Sequence, residues 1–172
     1  MDMGDIIIRP ATSDEVPELV GFITKARAEM FPFLNQASSG QMAQRELDNF
    51  QKSYLDSPQG VFLTARSEGR LVATIGCVPY DGRFPSLNIE VENAVEVVRL
   101  YVEPEWRRAG LASKVFAKLV ETTRQAGVKQ LYLHTHPFLP NAIGFWERNG
   151  FSIIEVDEDP VWQTTHMSRL LK

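Results

Sequence analysis

Two hydrophobic periods alternate along the chain. In "DIIIRPAT" the β-branched run Ile6–Ile8 is ended by Pro10, which reads as a strand. Behind the capping candidates Thr12, Ser13 and Asp14, the apolar residues Leu19, Phe22, Ile23 and Ala26 return at helical spacing. A second, more polar helix is predicted in "SSGQMAQRELDNFQKSYLD", from Met42, Leu47, Phe50 and Tyr54, before the turn residues "SPQG". "GVFLTARSEGRLVATIGCVPY" reads as two strands hinged at Ser67-Glu68-Gly69. "DGRFPSLNIEVENA" follows neither period and predicts a long excursion, a kind of segment that often carries function in compact domains. "VEVVRLYVEP" is the clearest strand, closed by Pro104; from Leu111 the apolar positions 111, 112, 115, 116, 119 and 120 keep a helical period up to Gly127. "VKQLYLHTHP" predicts another strand, and "NAIGFWERNG" a short helix stopped by Gly150. "FSIIEV" and "VWQTTHMSRLL" predict closing strands around "DEDP". The order β-α-α-β-β-β-α-β-α-β-β mixes hairpins with crossovers and so predicts an α/β (α+β) fold, a mixed sheet with helices on its faces.

Length and composition narrow the picture. At 172 residues one domain over 1–172 is expected, because two would each lie near the lower limit for an adequate core. No repeat, low-complexity tract or long linker interrupts the chain. No apolar run approaches the roughly 20 residues that span a bilayer. The start "MDMGDIIIRP" lacks the charged and apolar regions of a leader, and Cys77 is the single cysteine. These features lead us to expect a cytoplasmic protein without a membrane partner. A net charge of −4 offers no basic face for nucleic acid, so an anionic ligand must be held by local chemistry. The dispersed His134, His136 and His166 make no convincing metal site, and no metal is expected.

That local chemistry lies in "EPEWRRAGLASKVF", Glu103 to Phe116. A glycine-containing turn between strand and helix can aim several N–H groups at one point, and the first helical turn adds free donors and a partial positive charge. Gly110 and the small Ala112 let a phosphate approach the backbone, and Arg107 and Arg108 supply positive potential. The glycine spacings of the dinucleotide fingerprint and of the P-loop are both absent. Taken alone, the stretch is also compatible with a glycine that merely relaxes a tight connection beside solvated arginines.

Read as a whole, "VVRLYVEPEWRRAGLASKVFAKLVE" followed by "LYLHTHPFLPNAIGFWERNGF" resembles the GCN5-related N-acetyltransferase (GNAT) family. The family's coenzyme loop, Arg/Gln-x-x-Gly-x-Gly/Ala, is matched by Arg107 to Ala112, and its later signature by Asn141 to Phe151; the strict likeness covers residues 95–151. The resemblance implies a single mixed, mostly antiparallel sheet of about seven strands with helices on both faces. It also implies an acetyl-CoA-dependent N-acetyltransferase. The amides of Arg108, Ala109, Gly110, Leu111 and Ala112 would hold the coenzyme pyrophosphate beside Arg107, with Ser113 as an extra hydroxyl. Leu100 and Val102 would bind the pantetheine arm through their main chain, on a strand whose bulge opens a V-shaped cleft. Asn141 and Phe145 would line that arm, although Asn141 also suits a helix N-cap and Phe145 plain core packing.

For the chemistry, an amine must lose a proton, an oxyanion must be stabilised and a thiolate must leave. Glu96 is the candidate base, or else the salt-bridge partner of a nearby arginine, with Glu90 and Glu92 in reserve. Trp146 stands where the family usually has a tyrosine acid, and an indole cannot release a proton near neutral pH. Tyr101, Tyr132, His134 and His136 are substitutes to consider; Tyr132 and His134 share one strand face. Phe31, Phe33 and Leu34 of "EMFPFLNQ" suggest apolar walls for the acceptor, and the carboxylates from Glu90 through Glu92 to Glu96 an attraction for a cationic amine. The reading is direct transfer, in a ternary complex, to the primary amine of a small molecule. A homodimer is left open. Two alternatives stand beside it: a coenzyme-binding sensor that has lost catalysis, and a transferase of another acyl group.

Overall fold

The computed structural model describes residues 3–33 and 39–171. Its elements run β1 (Ile6–Pro10), α1 (Val16–Met30), α2 (Ser39–Phe50), β2 (Val61–Ser67), β3 (Arg70–Pro79), β4 (Ala94–Val102), α3 (Leu111–Gln125), β5 (Gln130–Thr135), α4 (Ala142–Arg148), β6 (Ser152–Val156) and β7 (Thr165–Leu170). One seven-stranded sheet takes the order β1-β2-β3-β4-β5-β7-β6. Its neighbours are antiparallel except β4 and β5, which are parallel.

Strand alternation sends side chains to two cores. Leu63 and Ala65 of β2 and Ala73, Ile75 and Cys77 of β3 pack with Leu111, Val115, Phe116 and Leu119 of α3 and Trp146 of α4. Phe62 of β2 and Leu71 of β3 join the second core instead, with Leu19, Val20 and Ile23 of α1 and with Phe50 and Tyr54. Helices therefore cover both faces. α2 runs on into one π turn, Gln51–Leu55, whose wider winding seats the Tyr54 ring 4.8 Å from Phe50 and 5.0 Å from Phe62. The room for this aromatic cluster comes from glycine: a Cβ on Gly76 would lie 2.9 Å from Phe62 and 3.1 Å from Tyr54, and one on Gly60 2.3 Å from the Ser53 carbonyl oxygen.

The excursion before β4 is ordered by its own apolar side chains, since Phe84, Leu87 and Ile89 pack on Tyr80, Ala94 and Tyr132. β4 then carries a bulge. Thr74 pairs with Tyr101 and Gly76 with Val98, so Ile75 alone stands opposite Arg99 and Leu100. Arg99 takes the left-handed conformation, φ 61°, and its carbonyl accepts a 2.8 Å bond from the Thr74 hydroxyl. The pairing of β4 with β5 ends at Glu96–Tyr132, and beyond it the strands part. Among the described residues no helix is long and apolar enough to cross a membrane.

Candidate active site

The parting of β4 and β5 opens a cavity of about 700 Å³. Val97, Val98 and Leu100 line it from β4, Leu133, His134 and Thr135 from β5, and Phe31, Trp146 and Trp162 from other elements. Tyr101 also lines a small separate hollow of about 20 Å³, between Phe22, Lys25, Ala26 and Glu29 of α1 and the stretch from Val102 to Arg107. From Arg107 the chain runs into the start of α3.

There the backbone turns through two left-handed residues, Arg108 (φ 66°) and Gly110 (φ 82°). A Cβ on Gly110 would meet no protein atom within 4 Å, so its backbone conformation, not protein packing, is what favours glycine. Lys114 is the first α3 residue bonded back out of the helix, at 3.1 Å to the Gly110 carbonyl. Among the described residues the amides of Arg108 to Ser113 reach no acceptor outside the helix. Leu111 buries its side chain in the core and offers only its N–H, whereas Ser113 is exposed at the helix start. Arg107 turns back along the strand: its Nε donates to the Val102 carbonyl at 3.0 Å and its Nη2 lies 3.8 Å from Glu29. The Val102 carbonyl that was expected to face the coenzyme arm thus already accepts one internal bond.

Deeper in the cleft, Glu96 is buried, with its side chain 5% exposed, and Arg83 holds it by two bonds of 2.8 and 2.9 Å. The salt-bridge alternative for Glu96 is therefore present, and its arginine lies in the excursion. The Glu96 carboxylate raises the Arg83 guanidinium further above its ordinary value. His134 Nδ1 lies 3.4 Å from Glu96 Oε2 and 3.4 Å from the Tyr132 hydroxyl. Burial pulls the His134 imidazole below its ordinary value, against the opposing pull of Glu96, so the ring is neutral near pH 7.

The Tyr132 hydroxyl bonds the buried His166 Nδ1 at 2.7 Å, and His166 Nε2 bonds Asp157 at 3.0 Å. Burial raises the phenol of Tyr132 and that of Tyr101, which makes both poor proton donors. The ligand atoms of Glu155, Asp157 and His166 fall within 4.8 Å of one another, a spacing a cation could use, but His166 commits Nε2 to Asp157.

Other expected site residues divide. Trp146 lines the cavity and packs on Phe145, Phe151 and Phe116 at 4.8, 5.3 and 5.4 Å. Its indole N–H has no protein partner among the described residues. Asn141 occupies the N-cap position of α4 with φ 63° but makes no side-chain cap bond, and Phe145 is half-buried against the core. Phe31, Phe33, Phe138, His136 and Trp162 form one ring cluster with centroids 5.1 to 6.2 Å apart. Phe31 lines the cavity, Phe33 is exposed, and Leu34 falls outside the described residues. Glu90 and Glu92 are exposed on the excursion and do not line the cavity, whereas Glu96, from the same run of carboxylates, does. Arg83, Phe138, Trp162 and His166 were not anticipated as site residues. The pairing of His134 opposite His166 across β5 and β7 had no local signal beyond two histidines on strands.

A parted β4–β5 pair beside a glycine-led helix start is the architecture of one enzyme class. The Acetyltransferase (GNAT) family model matches residues 18–151, and the chain belongs to that family of acetyltransferases. It is 28% identical over 149 residues to an uncharacterized N-acetyltransferase of Escherichia coli (strain K12), YjgM, covering 87% of this chain and 83% of that protein. Human N-acetyltransferase 8 is 27% identical over 106 residues, 62% of this chain and 44% of that protein, so the chain spans less than half of that relative's length. The PaiA N-acetyltransferase of Thermoplasma acidophilum, solved in complex with coenzyme A, superimposes with a TM-score of 0.72 at 16% identity, covering 96% of this chain and 99% of that one.

Proposed function

We propose that the protein transfers an acetyl group from acetyl-CoA to the primary amine of a small molecule by direct attack. The observation that carries this reading is the set of amides from Arg108 to Ser113, unpaired among the described residues and gathered at a left-handed turn and the positive end of α3. Such a cradle suits a diphosphate. Beyond Glu96 the edge of β4 that faces β5 has no strand partner among the described residues, and such an edge suits the extended arm of a coenzyme. Bound there, the coenzyme supplies an acyl thioester to the cleft.

The protein's own groups supply the proton chemistry. His134 is neutral near pH 7 and faces the cavity, so it takes the amine proton at Nε2 while Nδ1–H is oriented by the Glu96 carboxylate. Glu96 thereby acts through His134, since Arg83 already holds both of its oxygens. Trp146 offers an N–H hydrogen bond to the departing sulfur but no proton; a thiol with an ordinary pKa of about 8.5 leaves acceptably as the thiolate. A cysteine-linked intermediate is disfavoured, because Cys77 lies in the core with its thiol pushed up to about 12 by burial.

Calorimetric titration with acetyl-CoA tests the cradle. The native protein should bind, and Gly110→Trp should abolish binding. Thiol release with a panel of amines then tests transfer. Tight coenzyme binding with silence across the whole panel would favour the sensor, an alternative that rests on Trp146; competition among acyl-coenzymes tests the acyl group.

A further inference from the structure

Four arginines and two carboxylates line the cavity among the described residues: Arg27, Arg45, Arg83 and Arg99 against Glu46 and Glu96. Both carboxylates are spent. Arg83 holds Glu96, and Arg99 on the bulge pairs with Glu46. Arg27 on α1 and Arg45 on α2 then face the cavity with no carboxylate in ion-pair range among the described residues. Among the described residues the Arg27 guanidinium bonds the sulfur of Met42, at 3.9 Å, and the phenol of Tyr101. The stretch 34–38 between the two helices, Leu-Asn-Gln-Ala-Ser, contains no acid to neutralise them. A cavity whose wall carries Arg27, half-buried, and Arg45, solvent-exposed, without a carboxylate partner among the described residues can receive an anion, which a planar guanidinium fork pairs with at two points.

Beside Arg27, Phe31 heads the ring cluster, from which His136 and Trp162 also line the cavity. The same chamber thus offers a cationic wall and an aromatic wall, and His134 stands ready between β4 and β7 to accept a proton. We infer that the acceptor is an amine that also carries a carboxylate and an apolar side chain, of the class of aromatic or aliphatic α-amino acids. Its carboxylate is held by Arg27 and Arg45, and its side chain rests on Phe31 and Trp162. This inference rests on the acetyltransferase reading of the cleft. The coenzyme's phosphates are the other anions available, but the amide cradle that suits them lies at the start of α3, and none of its residues from Arg108 to Ser113 lines the cavity that holds Arg27 and Arg45.

The test compares L-phenylalanine with L-phenylalaninamide, which keeps the ring and the amine and removes the negative charge. Binding of each is measured calorimetrically with and without saturating coenzyme A, and thiol release from acetyl-CoA is followed in parallel. The acid should bind about 10- to 100-fold more tightly than the amide, the range expected for a charge-assisted pairing. Arg27→Gln combined with Arg45→Gln should bring that ratio to within about twofold, while Arg27→Lys, which keeps the charge, should retain part of it. Equal or tighter binding of the amide, failure of either compound to bind, or a ratio untouched by the double substitution would each overturn the inference. Because the ratio is also read without coenzyme, a protein that ignores coenzyme A but prefers the acid would refute the transferase reading and leave the anion site standing.

Discussion

Replacing His134 and Glu96 one at a time separates a base from the group that orients it. His134 is about one-third exposed, its side chain being 34% accessible, and burial holds its imidazole below the ordinary 6.5. At neutral pH most of it is therefore in the proton-accepting form. His134→Gln keeps the size and removes the base, and should lower kcat/KM by about 10²- to 10⁴-fold, the usual contribution of a positioned general base. Glu96→Gln keeps an acceptor for Nδ1–H and leaves Arg83, whose side chain is 40% exposed, free to meet water. It should cost only about tenfold, the worth of one charge-assisted hydrogen bond.

The pH profile carries the sharper signature of this pair. In the native enzyme the acidic limb rises as His134 loses its proton, with a midpoint below 6.5. Glu96 raises that midpoint by its charge, so Glu96→Gln should move the limb to lower pH. The assay is steady-state thiol release with a turned-over amine between about pH 5 and 9, the range over which a histidine base changes charge. If Glu96→Gln costs the larger factor and erases the limb while His134→Gln leaves both nearly intact, Glu96 is the base and the mechanism above is wrong.

Three further outcomes follow from the geometry. Gly60→Ala places a Cβ 2.3 Å from the Ser53 carbonyl oxygen and should destabilise the fold by about 1–3 kcal/mol in urea denaturation; unchanged stability would mean the π turn yields freely. Glu15 is buried, which alone would raise its carboxyl, but bonds from the Thr12 amide and from Arg66 and Arg9 outweigh burial and hold it at about 2. A carboxyl depressed on folding stabilises the protein above its unfolded value of 4.5, so stability should fall between pH 4.5 and about 2, and Glu15→Gln should flatten that slope in acid titrations followed by circular dichroism. Trp146→Tyr introduces an acid at the position proposed to face the leaving sulfur and should raise kcat by up to about 10²-fold where thiolate departure limits the rate; an unchanged kcat with native folding would show that the thiolate departs unaided.

Each element's period and caps were legible because they are local. The alternation in "GVFLTARSEGRLVATIGCVPY" records which side chains of β2 and β3 face α3, and the apolar spacing from Leu111 records the buried stripe of α3. The glycine at the head of that helix was legible for the same reason, since its left-handed turn is a property of a few adjacent residues.

Tertiary structure alone decided what those elements bring together. Arg83 sits in a segment without any period, and only the folding of the excursion over Tyr132 carries it to Glu96. His166 meets Tyr132 because β7 lies beside β5, a pairing that no spacing within either strand encodes. The exposure of Glu92, the union of Phe31 with Phe138 and Trp162, and the meeting of Arg27 and Arg45 on one cavity wall are likewise set by where separate segments dock. A chain's own pattern determines which way each side chain faces on its element, whereas the neighbour it meets there depends on packing between elements far apart in sequence.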